Sequence, residues 1–266
     1  MLGALQGATE FLPVSSSGHL ILVPQLLGWP TPSLLFDVLV HCATACAVLL
    51  HFRADWSRML AGAVRSARAG TIRDNPDARL LALLVLASIP AAVAGLVLEA
   101  PVERALSSDT RSLAQYTAAF LLLTGTVLTY AEAIGSRDRF AHLLGPRGAI
   151  AVGLAQAVAV LPGISRSGAT IAAGIGVGLG RTEAARFSFL LSAPIIAGAG
   201  LAQVDDLVAA VPSADEAAAL ALGFGAAFIV GYASIAWLLA YLRRSPLSVF
   251  ALYTWAMGAT ALWLLR

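Results

Sequence analysis

A polar, proline-interrupted segment occurs twice in a chain otherwise apolar enough to lie in a bilayer. The first copy runs Gln6-Gly7-Ala8-Thr9-Glu10-Phe11-Leu12-Pro13-Val14-Ser15-Ser16-Ser17-Gly18-His19. The second runs Gln156-Ala157-Val158-Ala159-Val160-Leu161-Pro162-Gly163-Ile164-Ser165-Arg166-Ser167-Gly168-Ala169-Thr170. In both, a Gln precedes a Leu-Pro pair, and a Ser-Gly pair closes the segment twelve residues after the Gln. Irregular backbone at membrane depth is tolerated only where it is buried in protein or lines a wet cavity. Two such segments therefore demand a common interior, and their hydroxyls, opposite charges and backbone amides suit a charged group such as a phosphate.

The membrane setting follows from composition. Of 266 residues, 59% are hydrophobic and 12% charged, with mean hydropathy +0.82. Soluble domains carry about 25% charged residues, so an integral membrane protein is expected. The net charge is +2, and all 17 basic residues are Arg. No basic run is dense enough for a nucleic-acid surface, so no nucleic-acid partner is expected. No basic region precedes the first apolar stretch, so no cleavable signal peptide is expected either. Cys42 and Cys46, four apart on one predicted helix face, read as small packing residues. Gly174, Gly176, Gly178 and Gly180 lack a strand–turn–helix context and read as helix packing rather than a nucleotide loop.

Apolar stretches near 34–52, 80–99, 112–132, 186–203, 217–242 and 247–265 predict about six full transmembrane helices. The segments around 2–28 and 149–180 differ. Each offers two arms of roughly 11 residues, about 16 Å apiece at helical rise, which is half a bilayer core. They predict re-entrant helical hairpins. Arginines set the orientation: Arg53, Arg58, Arg65, Arg68, Arg73 and Arg79 lie in a 53–79 loop. Arg137, Arg139 and Arg147 lie in 135–148, and Arg243 and Arg244 in the 243–246 turn. Asp205, Asp206, Asp215 and Glu216 mark 203–216 as acidic, while 99–111 is mixed. Basic loops stay cytoplasmic, so 203–216 and 99–111 face out.

Each polar segment is followed by three predicted spans, an odd number, so the second half inserts upside down. The expected fold is thus an all-α polytopic membrane protein, an inverted-topology repeat whose broken helices meet near the midplane. It forms a single integral membrane domain over 1–266, with repeats about 1–134 and 149–266.

Within the segments, Glu10 and Gln6 share a helix face and could bind a hard cation, Mg²⁺ or Ca²⁺, with substrate phosphate completing the shell. Arg166, between Ser165 and Ser167, presents a planar fork suited to phosphate. Gly163 and Gly168 permit turns that aim amides inward at a helix start. His19 could act as general base or acid, and one of Ser15, Ser16 and Ser17 could be a nucleophile, the others capping. Spacing does not choose among the three serines. Asp37 and His41 read as a packing pair or outer support.

At these residues the sequence resembles the bacterial undecaprenyl-diphosphate phosphatase family, the BacA-type bacitracin-resistance proteins. Gln6 and Glu10 match its Glu/Gln-x-x-x-Glu motif, and Pro162, Gly163, Ser165, Arg166, Ser167 and Thr170 match its Pro-Gly-x-Ser-Arg-Ser-x-x-Thr motif. The Phe-Leu-Pro-Val-Ser-Ser stretch ending in Gly-His, Phe11 to His19, is also typical, and the resemblance covers nearly the whole chain. It implies a hydrolase of the bacterial inner membrane that converts a polyprenyl diphosphate lipid to monophosphate and phosphate on the outer side. Such an enzyme recycles the carrier for peptidoglycan synthesis. By resemblance, Ser16 is the nucleophile, and Glu10, His19 and Arg166 are catalytic. Ser165, Ser167 and Thr170 form the phosphate cradle with Arg166, and Ser15, Ser17, Gly163 and Gly168 are expected to bind substrate beside them. Gln6 and Glu10 form the metal-associated motif. Two departures stand out: Gln6 removes one charge from that motif, and only five residues precede it. The rival reading is a secondary transporter or flippase for a lipid phosphate, since inverted repeats with broken helices are transporter architecture. The Ser-Ser-Ser-Gly-His run favours an enzyme. The sequence does not choose between monomer and homodimer.

Overall fold

Prolines and capping serines cut the polar segments into short helices. The computed structural model describes residues 1–72, 74–106, 109–135, 140–203 and 212–266, the side chains of Glu99, Glu103, His142 and Ala202 excepted. Arg73, Arg137, Arg139, Asp205 and Asp206, which bear on the orientation of the chain, lie outside the described residues. Helix α1 (Leu2–Phe11) stops where Leu12, held extended at φ −65° and ψ 142° by the following proline, can no longer continue it. Ser15 then caps α2 (Ser16–Leu27), accepting from the Gly18 amide. The second copy repeats this: α7 (Pro146–Val158) ends before the turn, and Ser165 caps α8 (Arg166–Gly176) through the Gly168 amide. These helices have 10, 12, 13 and 11 residues, as the half-length arms predict.

Long apolar helices surround the two hairpins: α3 (Leu34–His51), α5 (Pro76–Leu106), α6 (Thr110–Ile134), α9 (Arg181–Ala202) and α10 (Ala214–Tyr241). Five stretches within them are long and apolar enough to cross a membrane. The sixth expected span is α11 (Ser248–Leu264), apolar but only 17 residues long. Among the described residues there is no strand. Large side chains such as Leu96, 86% exposed, and Leu222, 75% exposed, cover the outer surface. A water-soluble protein does not carry so continuous an apolar exterior, whereas acyl chains solvate it.

One expectation changes. The 53–79 segment is not a loop: most of it is α4 (Arg53–Ala69). Met59, Gly62 and Ser66, at helical spacing, form its buried face, and the Asn75 amide donates to the Gly62 carbonyl at 3.3 Å. Counting arginines along the segment hides this periodicity. Asp55 of α4 accepts hydrogen bonds from Arg186 of α9 and from Arg58. Helix α9 starts at Arg181 after Gly180 without a side-chain cap, and Arg186 lies 3.8 Å from Glu183 one turn earlier.

Packing joins the halves. Helix α1 lies along α10 and α7 along α5, while α6 packs on α11 and α3 on α9. The α1–α10 seam is tight: a Cβ at Gly7 would sit 2.5 Å from the Ala227 carbonyl oxygen. Small residues allow such approach between apolar helices, where packing rather than the hydrophobic effect drives association. Phe11, fully buried, meets Phe189 edge-on at 5.4 Å directly below the hairpin turns.

Candidate functional site

Both hairpin turns close on one carboxylate. Glu10, on the last turn of α1, is buried, with a side chain 5% exposed. Its Oε2 accepts from the Ser16 hydroxyl at 2.5 Å and from Gln6 Nε2 at 3.0 Å. Its Oε1 accepts from the Arg166 guanidinium. Ser16 and Arg166 are the first residues of α2 and α8, immediately after their capping serines. Capping therefore aims both side chains at the same point, one from each hairpin.

The turns touch directly. Ser167 Oγ donates to the Leu12 carbonyl at 2.9 Å, and Ser165 and Ser167 hydroxyls lie 3.1 Å apart. Thr124 of α6 braces the second turn, donating to the Gly163 carbonyl at 3.1 Å and accepting from the Ser165 amide at 3.0 Å. Ser15 and Ser17 hydroxyls lie 3.4 Å apart in the first turn.

Above this junction is a cavity of about 400 Å³ lined by residues of both halves. Glu10, Ser15, Ser16 and Ser17 reach it from the first hairpin, and Ser165, Arg166 and Ser167 from the second. Asp37, His41, Gln156 and Gln203 complete its polar wall. Several polar atoms here are buried without a partner in the protein: an Arg166 terminal nitrogen, Asp37 Oδ1, Gln203 Oε1 and both amide atoms of Gln156. A buried polar group without a partner costs stability, so such a cluster marks a site built for a polar ligand.

The remaining expected residues lie behind the wall. Gly163 and Gly168 shape the second turn without lining the cavity, and Thr170 turns its hydroxyl back to the Arg166 carbonyl at 2.8 Å and to Ser188 at 2.6 Å. His19 is also enclosed. Its Nδ1–H donates to the Ser15 carbonyl at 2.7 Å, and the Tyr253 hydroxyl donates to Nε2 at 2.6 Å, with the rings stacked. The imidazole that reaches the cavity is His41, whose Nε2 lies 3.8 Å from Glu10 while Nδ1–H donates to the Asp37 carbonyl. Sequence reasoning places the Asp37–His41 pair outside the chemistry and passes over Gln156. The repeat register is the available signal for Gln156, which stands where Gln6 stands in the first copy.

For a metal, Glu10 supplies a carboxylate, and Gln6 Oε1 is a buried amide oxygen without a protein partner. Oxygen donors of this kind fit a hard divalent cation. Among the described residues, no group of three or more His, Cys, Asp or Glu could hold a metal by itself.

Comparison with known proteins places this architecture. A protein from Rubrobacter xylanophilus named undecaprenyl-diphosphatase is 44% identical over 262 residues, covering 97% of this chain and 94% of its own. Proteins of the same name from Thermomicrobium roseum and Geobacter metallireducens are 42% and 40% identical, covering 98% of this chain and 95% of their own. The family model described as bacitracin resistance protein BacA matches residues 1–260. With that match and these relatives, the chain belongs to the BacA bacitracin-resistance family of multi-pass membrane proteins.

Proposed function

We propose that this protein is a membrane hydrolase that converts undecaprenyl diphosphate to undecaprenyl phosphate and inorganic phosphate, recycling the lipid carrier of cell-wall synthesis. The relatives' common name supports the substrate. The observation that carries the chemistry is the buried Glu10 carboxylate, held between Ser16 of one hairpin and Arg166 of the other on the cavity wall.

In this reading Ser16 Oγ attacks the terminal phosphorus while its proton passes to Glu10, the base already at 2.5 Å. A Ser16 O–P bond forms, the bridging P–O bond breaks, and its electron pair leaves on the prenyl phosphate. Water then attacks the phosphoserine, releasing phosphate and regenerating the hydroxyl. Arg166, with one nitrogen on Glu10 and another unpartnered, binds the phosphoryl oxygens and stabilises their charge in the transition state. Ser165 and Ser167 complete the cradle, with Gly163, Gly168 and Thr170 shaping it. His19, tied to the Ser15 carbonyl, holds the first turn in place; this favours serine attack over a water directed by His19 and Glu10. A divalent ion on Glu10 and Gln6, Mg²⁺ or Ca²⁺, would supply charge neutralisation of the diphosphate.

The reading also includes an inverted repeat of two re-entrant hairpins. Exchanging the halves maps the α1–α10 seam onto α7–α5 and maps the α6–α11 and α3–α9 pairs onto themselves, which supports it. Leu34, at the start of α3, lines the cavity together with Gly95 and Gln203, while the far end of α3 leads into the arginine-bearing α4. Basic segments mark the cytoplasmic face, so the site opens outward from the bacterial inner membrane.

Phosphate release from undecaprenyl or farnesyl diphosphate by the purified full-length protein tests this. Release is expected, and chelation by EDTA is expected to abolish it. Movement of lipid phosphate across liposomes without phosphate release would replace the hydrolase with a transporter.

A further inference from the structure

We infer that Gln156 is a substrate-binding residue whose side-chain amide ligates the diphosphate, an inference that rests on the hydrolase reading. Gln6 and Gln156 stand at the same register, twelve residues before the Gly of each Ser-Gly pair, and both are buried, at 0% and 3% exposure. Their surroundings differ. Gln6 donates to Glu10 four residues on, across one helical turn. The residue four after Gln156 is Val160, which offers no acceptor. Neither amide atom of Gln156 has a partner in the protein, although both are buried.

Gln6 also lies outside the cavity lining, whereas Gln156 is part of it, together with Glu10, Ser16 and Arg166. Arg166, which carries a buried nitrogen without a protein partner, lines the same cavity. An amide and a guanidinium, each with buried groups unpaired within the protein and each on a residue lining one cavity, fit an anion with several oxygens, and a diphosphate is such an anion. Gln156 Nε2 donates to a phosphoryl oxygen, and Oε1 accepts from the water that a bound diphosphate carries. Val160 has a second consequence. Apolar where the first copy has its acid, it keeps another negative charge away from the phosphates. The first hairpin thus uses its Gln to orient the base, and the second keeps its Gln for the ligand.

The test uses the full-length protein in detergent with farnesyl diphosphate for turnover and inorganic pyrophosphate for binding. Gln156→Leu is expected to raise KM about tenfold and weaken pyrophosphate binding about tenfold, with kcat within about threefold. The melting temperature of the ligand-free protein should not fall, because no intramolecular hydrogen bond is lost. Gln156→Glu keeps the shape and adds like charge, so its KM should rise about a hundredfold. It also decides the matter if the Leu variant does not fold. Unchanged KM and pyrophosphate affinity would overturn the inference, as would a KM rise that only accompanies a lower melting temperature in both variants. Pyrophosphate binding separates the two readings. Wild-type protein that binds pyrophosphate through Gln156 yet releases no phosphate would sink the hydrolase and leave the ligand assignment standing.

Discussion

The two hairpins share a frame and differ in what they carry. Each has a Gln on its first arm, a proline in its turn and a serine capping its second arm. The caps are equivalent: Ser15 accepts from Gly18 at 3.3 Å, Ser165 from Gly168 at 3.0 Å. The residues just after the caps are not equivalent. Ser16 and Arg166 occupy the same helical position and reach opposite oxygens of the same carboxylate. The acid itself exists only in the first copy, and Val160 takes its place in the second. In the proposed reading, the shared caps supply the aim, and the differences at two positions supply the chemistry. On that reading, neither hairpin holds base, nucleophile and phosphate clamp together.

The sharpest way to break this division of labour is to remove the clamp. Arg166→Ala should lower the rate of phosphate release by about 10³–10⁵-fold, the range for an arginine on a transferring phosphoryl group. It also strands a buried carboxylate, so the melting temperature should fall as well. Glu10→Ala strands the guanidinium instead, and Glu10→Gln keeps the shape while losing the base. If Arg166→Ala retained more than a tenth of wild-type turnover, the second hairpin would not be the clamp.

Next in size is the nucleophile. Ser16→Ala should cost about 10²–10⁴-fold in turnover, whether its hydroxyl attacks or passes a proton. Ser17→Ala keeps the Glu10 hydrogen bonds intact and should cost less than about tenfold, the scale of one neutral hydrogen bond. A radiolabelled phosphoprotein trapped by acid quenching in wild type, and absent in Ser16→Ala, would identify the covalent step. Equal losses in the two variants would move the chemistry off Ser16.

Much of this frame was legible in the sequence because it follows from chain-local rules. The residue before a proline resists helical backbone, a serine can cap the helix that follows, and an arm of 11 residues cannot cross a bilayer. Glu10 and Arg166 were recognisable as charged residues with no local reason to be in apolar sequence, whereas Ser16 stood out from its two neighbours only through the family resemblance. What stayed hidden depends on packing between distant segments. His19 and His41 are both histidines near polar sequence, and only the fold shows that Tyr253, 234 residues away, closes off the first while the second faces Glu10. Gln156 looks like ordinary helix sequence until the cavity above it is visible. Helix α4 was concealed for another reason: its buried face is Met59, Gly62 and Ser66, and too weakly apolar to register as a stripe among arginines.

The smallest expected effects lie in the backbone of the turns, where the copies use different residues for a left-handed conformation. In the second turn this falls to Gly163, at φ +97°, and in the first to Ser15, at φ +71°. A Cβ at Gly163 would sit 2.2 Å from the Thr117 carbonyl oxygen. Gly163→Ala combines left-handed strain with overpacking and should destabilise by about 2–4 kcal/mol. It would also displace the Thr124 contacts that hold Ser165, so turnover should fall with stability. Ser15→Gly runs the other way. Relief of a strained non-glycine residue is worth about 1–3 kcal/mol, and a Gly cap loses only a few tenths of a kcal/mol. The extra freedom that glycine gives the unfolded chain offsets about 0.4–1 kcal/mol of that relief. Thermal melts should therefore show Ser15→Gly at or slightly above wild type while Gly163→Ala falls well below it. If Ser15→Gly instead fell as far, the strained serine would be contributing side-chain contacts that outweigh its backbone. The first turn would then depend on its hydroxyl for stability, where the second depends on the lack of a side chain.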